Sequence, residues 1–174
     1  VIRNLGVTGA YIRATKAGAV AGGLGTKANL IQCWSSGKTY AASAYSQLAG
    51  LSGSIYMHSC ILNSKTSVAL YPSSTSSGEL CSFSGEAGGS QIDTIVNALY
   101  TGAYQSSQQG ESLYAFSASA NGGMYKNVYR DSTLSPQNTG ENDTYLYSTQ
   151  QMQSKELVNI LNTTVTEWND IHGA

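Results

Sequence analysis

Charge is scarce in this chain, and side chains that do chemistry are scarcer. Asp, Glu, Lys and Arg make up 11% of the 174 residues, far below the roughly 25% of an average soluble domain. Only two histidines occur, His58 and His172, and three cysteines, Cys33, Cys60 and Cys81. So few histidines leave acid–base catalysis through imidazole with almost no candidates. No Gly-x-Ser-x-Gly elbow, CxxC or HExxH motif is present, so no local signature marks a serine hydrolase or a zinc site. No apolar run approaches the ~20 residues of a helical membrane span. Acidic residues are missing altogether before Glu79.

What remains is polar without being ionic. Hydrophobic residues make up 41% of the chain, enough for one globular domain with a core. Its polar surface falls to Ser, Gly, Thr, Asn, Gln and twelve tyrosines. That composition suits a secreted or cell-surface protein, and a surface of hydroxyls and amides favours self-association. A chain that starts with Val rather than Met fits a mature or excised fragment whose targeting segment has gone. The net charge of −1 conceals a division: Arg3, Arg13, Lys16, Lys27, Lys38 and Lys65 precede Glu79 without one acid, and all ten acids follow with three cations. The two parts carry +6 and −7, which suits an anionic partner for the first part or attraction between the parts.

In an oxidising compartment three cysteines allow one disulfide. Cys60 with Cys81 is the favoured pair, since it closes a loop of about twenty residues, worth about 3 kcal/mol in chain entropy. Spacing alone leaves Cys33 open as partner to either, or as a free thiol for an interchain bond. Asn142 and Asn162 head Asn-x-Thr tripeptides, the acceptor pattern for glycosylation.

The elements predicted are those of an α+β fold: one domain over 1–174, in which a Gly/Ala-rich segment, 1–27, precedes an α/β sandwich, 28–174. Glu111 to Arg130 reads as a hairpin, two alternating runs about Asn121-Gly122-Gly123, with Tyr114, Phe116, Tyr125 and Tyr129 as an aromatic stripe. Ser54–Leu62 and Val68–Tyr71 read as two strands joined by a turn at Asn63-Ser64-Lys65, and Tyr145–Tyr147 as a further strand. Helices are predicted at 39–48, 90–104 and 150–172; the last carries Met152, Leu157, Ile160, Leu161, Val165, Trp168 and Ile171 on one stripe and Asn159, Asn162 and Thr166 opposite. Short connections favour an antiparallel sheet packed against these three helices. Within 1–27 the Gly18 to Gly22 spacing permits close backbone approach.

Several patterns resemble sites. Gly37-Lys38-Thr39 between a strand and a helix has the setting of a phosphate loop, but Gln32 stands where the motif needs glycine; an ordinary helix cap at Thr39 explains the same residues. His58 and Cys60 share a strand face with no carboxylate nearby in sequence. Glu79, Glu86, Asp93 and Glu111 could supply a glycosidase pair, and nothing selects two. Tyr125-Lys126 and Tyr129-Arg130 pair aromatics with cations as single-strand binders do, yet tyrosines alternating on a sheet more often serve cross-strand packing, so nucleic acid is not an expected partner. An outward tyrosine stripe would suit sugar rings. No metal or cofactor is expected.

A predicted helix over 39–48, a Cys-bearing strand, a second cysteine in Glu79-Leu80-Cys81-Ser82-Phe83 and then Gln91-Ile92-Asp93-Thr94-Ile95-Val96 together resemble small secreted fungal killer toxins and related necrosis effectors. The resemblance implies a secreted α/β sandwich that acts by binding a target cell, with no catalytic residues. The expected function is accordingly a non-enzymatic toxin or effector whose Arg3, Arg13, Lys16 and Lys27 engage an anionic surface or membrane while Ala17–Leu24 enters the interface. The alternatives are a self-assembling structural subunit and a nucleotide-binding protein through Gly37-Lys38-Thr39.

Overall fold

The structure, a computed structural model, describes residues 1–43, 46–72, 79–85, 87–88, 93–104, 113–114, 124–134 and 144–172. Every strand pairing among them is parallel, and all but one join segments about thirty residues apart, the spacing of a solenoid; the exception, Val128 with Thr144, spans sixteen. The chain winds into a β-solenoid, which overturns the expected α+β sandwich with its antiparallel sheet and three helices.

Three stacks of strands form its sides. The first holds β1 (Ile2–Arg3), β2 (Gly6–Ala14), β4 (Asn29–Ile31), β5 (Trp34–Ala41), β8 (Cys60–Tyr71), β11 (Thr94–Tyr100), β13 (Met124–Asp131) and β14 (Thr144–Tyr147). The second holds β3 (Lys16–Gly18), β6 (Gln47–Ala49), β9 (Glu79–Cys81) and β12 (Leu113–Tyr114). A third, narrower side pairs β7 (Ile55–Tyr56) with β10 (Ala87–Gly88), extended by bridges at Leu24–Ile55 and Ala21–Ser52. Two helices follow, α1 (Thr149–Met152) and α2 (Lys155–His172).

Like stacks on like. Ile2, Leu30, Ile61 and Ile95 pair in one column, and Leu48 with Leu80 in another. Leu30, Ile61, Ile95 and Leu48 have no exposed surface, and each such side chain contributes roughly 1.5–3 kcal/mol of burial. A second column holds the bend of the first sheet. Asn4, Gln32, Asn63, Asn97 and Asn127 all sit in the left-handed region, with φ between 49° and 54°. Asparagine is the residue after glycine that enters that region most readily, and Asn97 Nδ2 donates to Asn63 Oδ1 at 2.9 Å. The corner separates β1 from β2 and β4 from β5, while β8, β11 and β13 run through it, so Asn63 bends the single strand β8 where the sequence suggested a hairpin turn.

The other departures have similar causes. Residues 94–100 of the expected helix 90–104 form β11, in which Ile95 to Ala98 are all buried; a strand covered on both faces is a continuous apolar run and satisfies helical spacing too. Residues 90–92 lie outside the described part. The expected helix 39–48 is the end of β5 and the start of β6. The expected hairpin is divided between sheets: Tyr114 pairs with Cys81 and Tyr125 with Ile95, while Phe116 and the Asn121-Gly122-Gly123 turn lie outside the described residues. Tyr145–Tyr147 is a strand, but parallel to β13.

At Gly18 a side chain would strike the backbone of Leu51 and Ser52 in the next coil, so the glycine is there for close backbone approach. The apolar run 17–24 faces inward: Ala17 and Leu24 are core residues, and Ala19, Val20 and Ala21 pack on them. Ala17 and Leu24, at its two ends, are therefore not free to enter a membrane interface. The expected helix 150–172 is divided at Gln153 and Ser154 into α1 and α2, and α2 keeps the stripe, with Leu157 and Thr164 buried and Asn159, Asn162 and Thr166 exposed.

Candidate ligand-binding face

The outer surface of β2, β5 and β8 concentrates exposed aromatic and cationic groups. Pleating sends alternate side chains outward. Ser35, Thr39 and Ala41 of β5 and Thr66, Val68 and Leu70 of β8 are buried, while Trp34, Ser36, Lys38 and Tyr40, with Lys65, Ser67, Ala69 and Tyr71, face out. Strand β2 adds Tyr11 and Arg13, both exposed. Register sets Trp34 beside Lys65, Ser36 beside Ser67 and Tyr40 beside Tyr71.

Two aromatic features bound this face. Trp34 lies over Gly6, whose missing side chain makes room for the indole, and 47% of the residue stays exposed. Farther along the strands, Tyr40 stacks on Tyr71 at 4.6 Å and 13°, and Tyr11 leans on Tyr40 at 5.1 Å. Tyr11 is 75% exposed. Lys38 Nζ lies 6.0 Å from the centre of the Tyr71 ring, in range for a cation–π contact. Trp34 and Tyr40 are six residues apart on one strand, about 20 Å. The sheet holds its shape by a bulge between Val7 and Ala10, opposite Gly37. Gly37 has φ 134°, and a side chain there would collide with the backbone of Ala10, so glycine is required twice over.

The predicted binding cations do not form one patch. Arg3, Arg13, Lys16 and Lys27 are all exposed in the first coil, but they stand on β1, β2, β3 and the corner before β4, and so encircle it. Lys16 Nζ lies 5.4 Å from the centre of the Tyr56 ring and donates to its hydroxyl at 3.0 Å. The face just described joins Arg13 to Lys38 and Lys65, two cations that sequence reasoning set aside. The signal was there in the alternation Trp34-x-Ser36-x-Lys38-x-Tyr40, hidden by reading 39–48 as a helix.

The remaining candidates fall elsewhere. Gly37-Lys38-Thr39 lies within β5, with Thr39 turned into the core, so no strand-to-helix loop exists there to surround a phosphate. The Cys60–Cys81 bridge is not formed: none of the three cysteines is in a disulfide. Cys60 Sγ donates to Asn29 Oδ1 at 2.8 Å, and burial pushes its pKa up to about 11, which keeps it protonated and a poor nucleophile. Cys33 is 1% exposed, with its thiol 3.5 Å from the Ile31 carbonyl, inside the core rather than where a second chain could reach it. His58 is exposed at a left-handed corner rather than on an apolar face.

Asp93, from the next coil, is buried there, and its Oδ1 accepts from Ser59 N–H at 3.1 Å. Burial raises the Asp93 pKa, against the backbone hydrogen bond from Ser59 and the charge of His58, which lower it. Glu79 has no described side chain, and Glu86, Glu111 and Asn142 lie outside the described residues. Tyr129 and Arg130 are buried, and Lys126 is ion-paired with Glu167 at 2.7 Å. Asn162 is on the exposed side of α2. Among the described residues no three His, Cys, Asp or Glu side chains converge on a cation position, and no helix is long and apolar enough to cross a membrane.

No family model matches this chain, and neither a curated protein nor a solved structure does. The fold class, a parallel β-solenoid, therefore stands on the strand register alone.

Proposed function

We propose that this chain is a non-enzymatic binding protein that engages an anionic cell surface through its first three coils. One observation carries the reading: six cations and no acid occupy the first 78 residues, and solenoid winding keeps those residues together at one end. Such a field draws in an anionic partner and holds it in a salt-dependent way. The toxin expectation leaned on a helix ahead of a Cys-bearing strand, which this fold lacks, so the proposal keeps the surface-binding half of that expectation and a secreted or surface location. The test replaces Arg13, Lys16 and Lys27 together with Gln and measures retention on carboxylated beads and on phosphatidylglycerol vesicles. At roughly 1 kcal/mol per cation near such a surface, binding falls at least tenfold at low salt and its salt dependence shrinks. Unchanged binding and unchanged salt dependence overturn the reading.

A second reading, a self-assembling structural subunit, has one observation in its favour: β2 pairs with β5 alone among the described strands, and an unpaired edge is a template for another chain. Light scattering across a dilution series decides it, because an assembling subunit gives large particles that dissociate on dilution.

A further inference from the structure

We infer that the outer face of β2, β5 and β8 is a binding site for an acidic polysaccharide, a chain of pyranose rings bearing carboxylates, lying along the strands between Trp34 and the Tyr11–Tyr40–Tyr71 group. This rests on the proposed anionic partner and gives that partner a chemistry and a place.

Four observations select this occupant. Trp34 lies against Gly6, where any side chain would collide with the indole, and the residue is still 47% exposed. An exposed indole on a sheet surface suits the apolar C–H face of a sugar ring, since an aromatic combines an apolar body with a polar edge. Lys65 stands beside Trp34 at one aromatic end and Lys38 between the two ends, on neighbouring strands and both exposed, as point charges for carboxylates. Ser36 and Ser67, side by side in register, offer hydroxyls that both donate and accept, matching hydroxyls along a sugar chain. The face is also a shallow strip of about 20 Å rather than a pocket, so it fits an extended polymer better than a small molecule.

A membrane is a poorer match, because Ala17 and Leu24, the two ends of the apolar run 17–24, are inside the core. A single-stranded nucleic acid shares the need for cations and aromatics. It would place bases, which stack on open aromatic faces, where Tyr40 and Tyr71 already stack on each other.

The probe is polygalacturonate, with dextran as neutral control and oligo(dT) and phosphatidylglycerol vesicles as competing anions, followed through Trp fluorescence and by calorimetry. The expected result is binding of polygalacturonate that quenches Trp34, is absent with dextran and weakens at least tenfold between 50 and 300 mM NaCl. Trp34→Ala and the double variant Lys38→Gln/Lys65→Gln should each lose at least tenfold in affinity with unchanged circular dichroism and melting temperature. Both are surface changes, so folding should survive them. If the vesicles or oligo(dT) bind and polygalacturonate does not, this inference falls while the anionic-partner reading stands. Polygalacturonate binding that ignores both variants overturns the assigned face. If none of the anions binds, both fall.

Discussion

One column of outward residues runs the length of the first sheet, Trp34, Lys65, Leu99, Tyr129 and Tyr145, and its two halves are used in opposite ways. At Trp34 the outer face is bare and aromatic, and Lys65, still exposed, stands at the border of the helical cover. At Leu99 and Tyr129 the same geometry carries apolar side chains, and Tyr129 is only 2% exposed, stacked on Tyr145 at 5.2 Å with its hydroxyl pKa pushed up to about 12, chiefly by burial. The difference is the cover. Helix α2 is fastened across β11 and β13: Asn97 Nδ2 donates to the Leu161 carbonyl at 2.8 Å, Asn127 Nδ2 bonds the Thr164 hydroxyl, and Lys126 pairs with Glu167. A cavity of about 220 Å³ lies beneath it, lined by Asn63, Asn97 and Leu161 among others. The outside of a solenoid strand is thus a second core where a helix closes it and a docking surface where none does.

That contrast can be broken at the shared interior. Ile61 sits in the common column, so Ile61→Ala opens a cavity both halves feel; we expect a loss of about 4 kcal/mol, read as a lower urea midpoint with coincident transitions by far-UV dichroism and Trp fluorescence. Separate transitions would mean that the halves fold independently. A smaller change sharpens the contrast instead. Asn97→Ala loses the left-handed preference and two side-chain hydrogen bonds, about 2 kcal/mol in all, and should release the cover: amide exchange quickens through 155–167 while β5 and β8 keep their protection. Equal quickening everywhere would deny α2 its local role.

The gentlest test lies at the seam between the halves, where Asp93 of the fourth coil holds the Ser59 corner of the third. Its pKa is raised in the folded state, so the folded chain keeps a proton that the unfolded chain gives up. Stability is therefore greatest below the ordinary Asp value of 3.8 and declines as pH rises from there through the folded value. Asp93→Asn keeps an acceptor for Ser59 N–H and should flatten that part of the stability–pH curve; an identical slope would remove Asp93 as its source.

The sequence declares its single strands and its last helix better than their arrangement, for a physical reason. The stripe Leu157, Ile160, Leu161, Val165 reports which side of the last helix is buried and agrees with the structure; the alternation from Trp34 to Tyr40 holds the same information for β5, hidden behind a turn-and-helix reading of Ser35 to Leu48. Neither reports the partner. In a hairpin the partner is a turn away; here Ile61 finds Leu30 and Ile95 at separations of 31 and 34 residues, a repeat that aliphatic substitution and uneven corners disguise. Asn63 and Asn97 were visible as polar residues inside apolar runs, yet they read as a turn and as a helix because a left-handed bend within a continuous ladder has no periodicity. The candidate face was half legible: its charge was plain in the composition, and its aromatic platform needed the register that puts Lys65 beside Trp34.

The uneven coil lengths have a genetic corollary. Columns stay aligned although consecutive coils differ in length, because the extra residues are absorbed at corners while the stacked positions stay put. An in-frame duplication or loss of one whole coil therefore returns the interior aliphatic column of Leu30, Ile61 and Ile95 to partners of its own kind and changes the height of the stack. Point deletions inside a strand do the reverse and flip one face outward. For a gene encoding such a chain, whole-turn changes in length are the tolerated currency of variation, and a lineage can lengthen or shorten its exposed sheet without redesigning the interior.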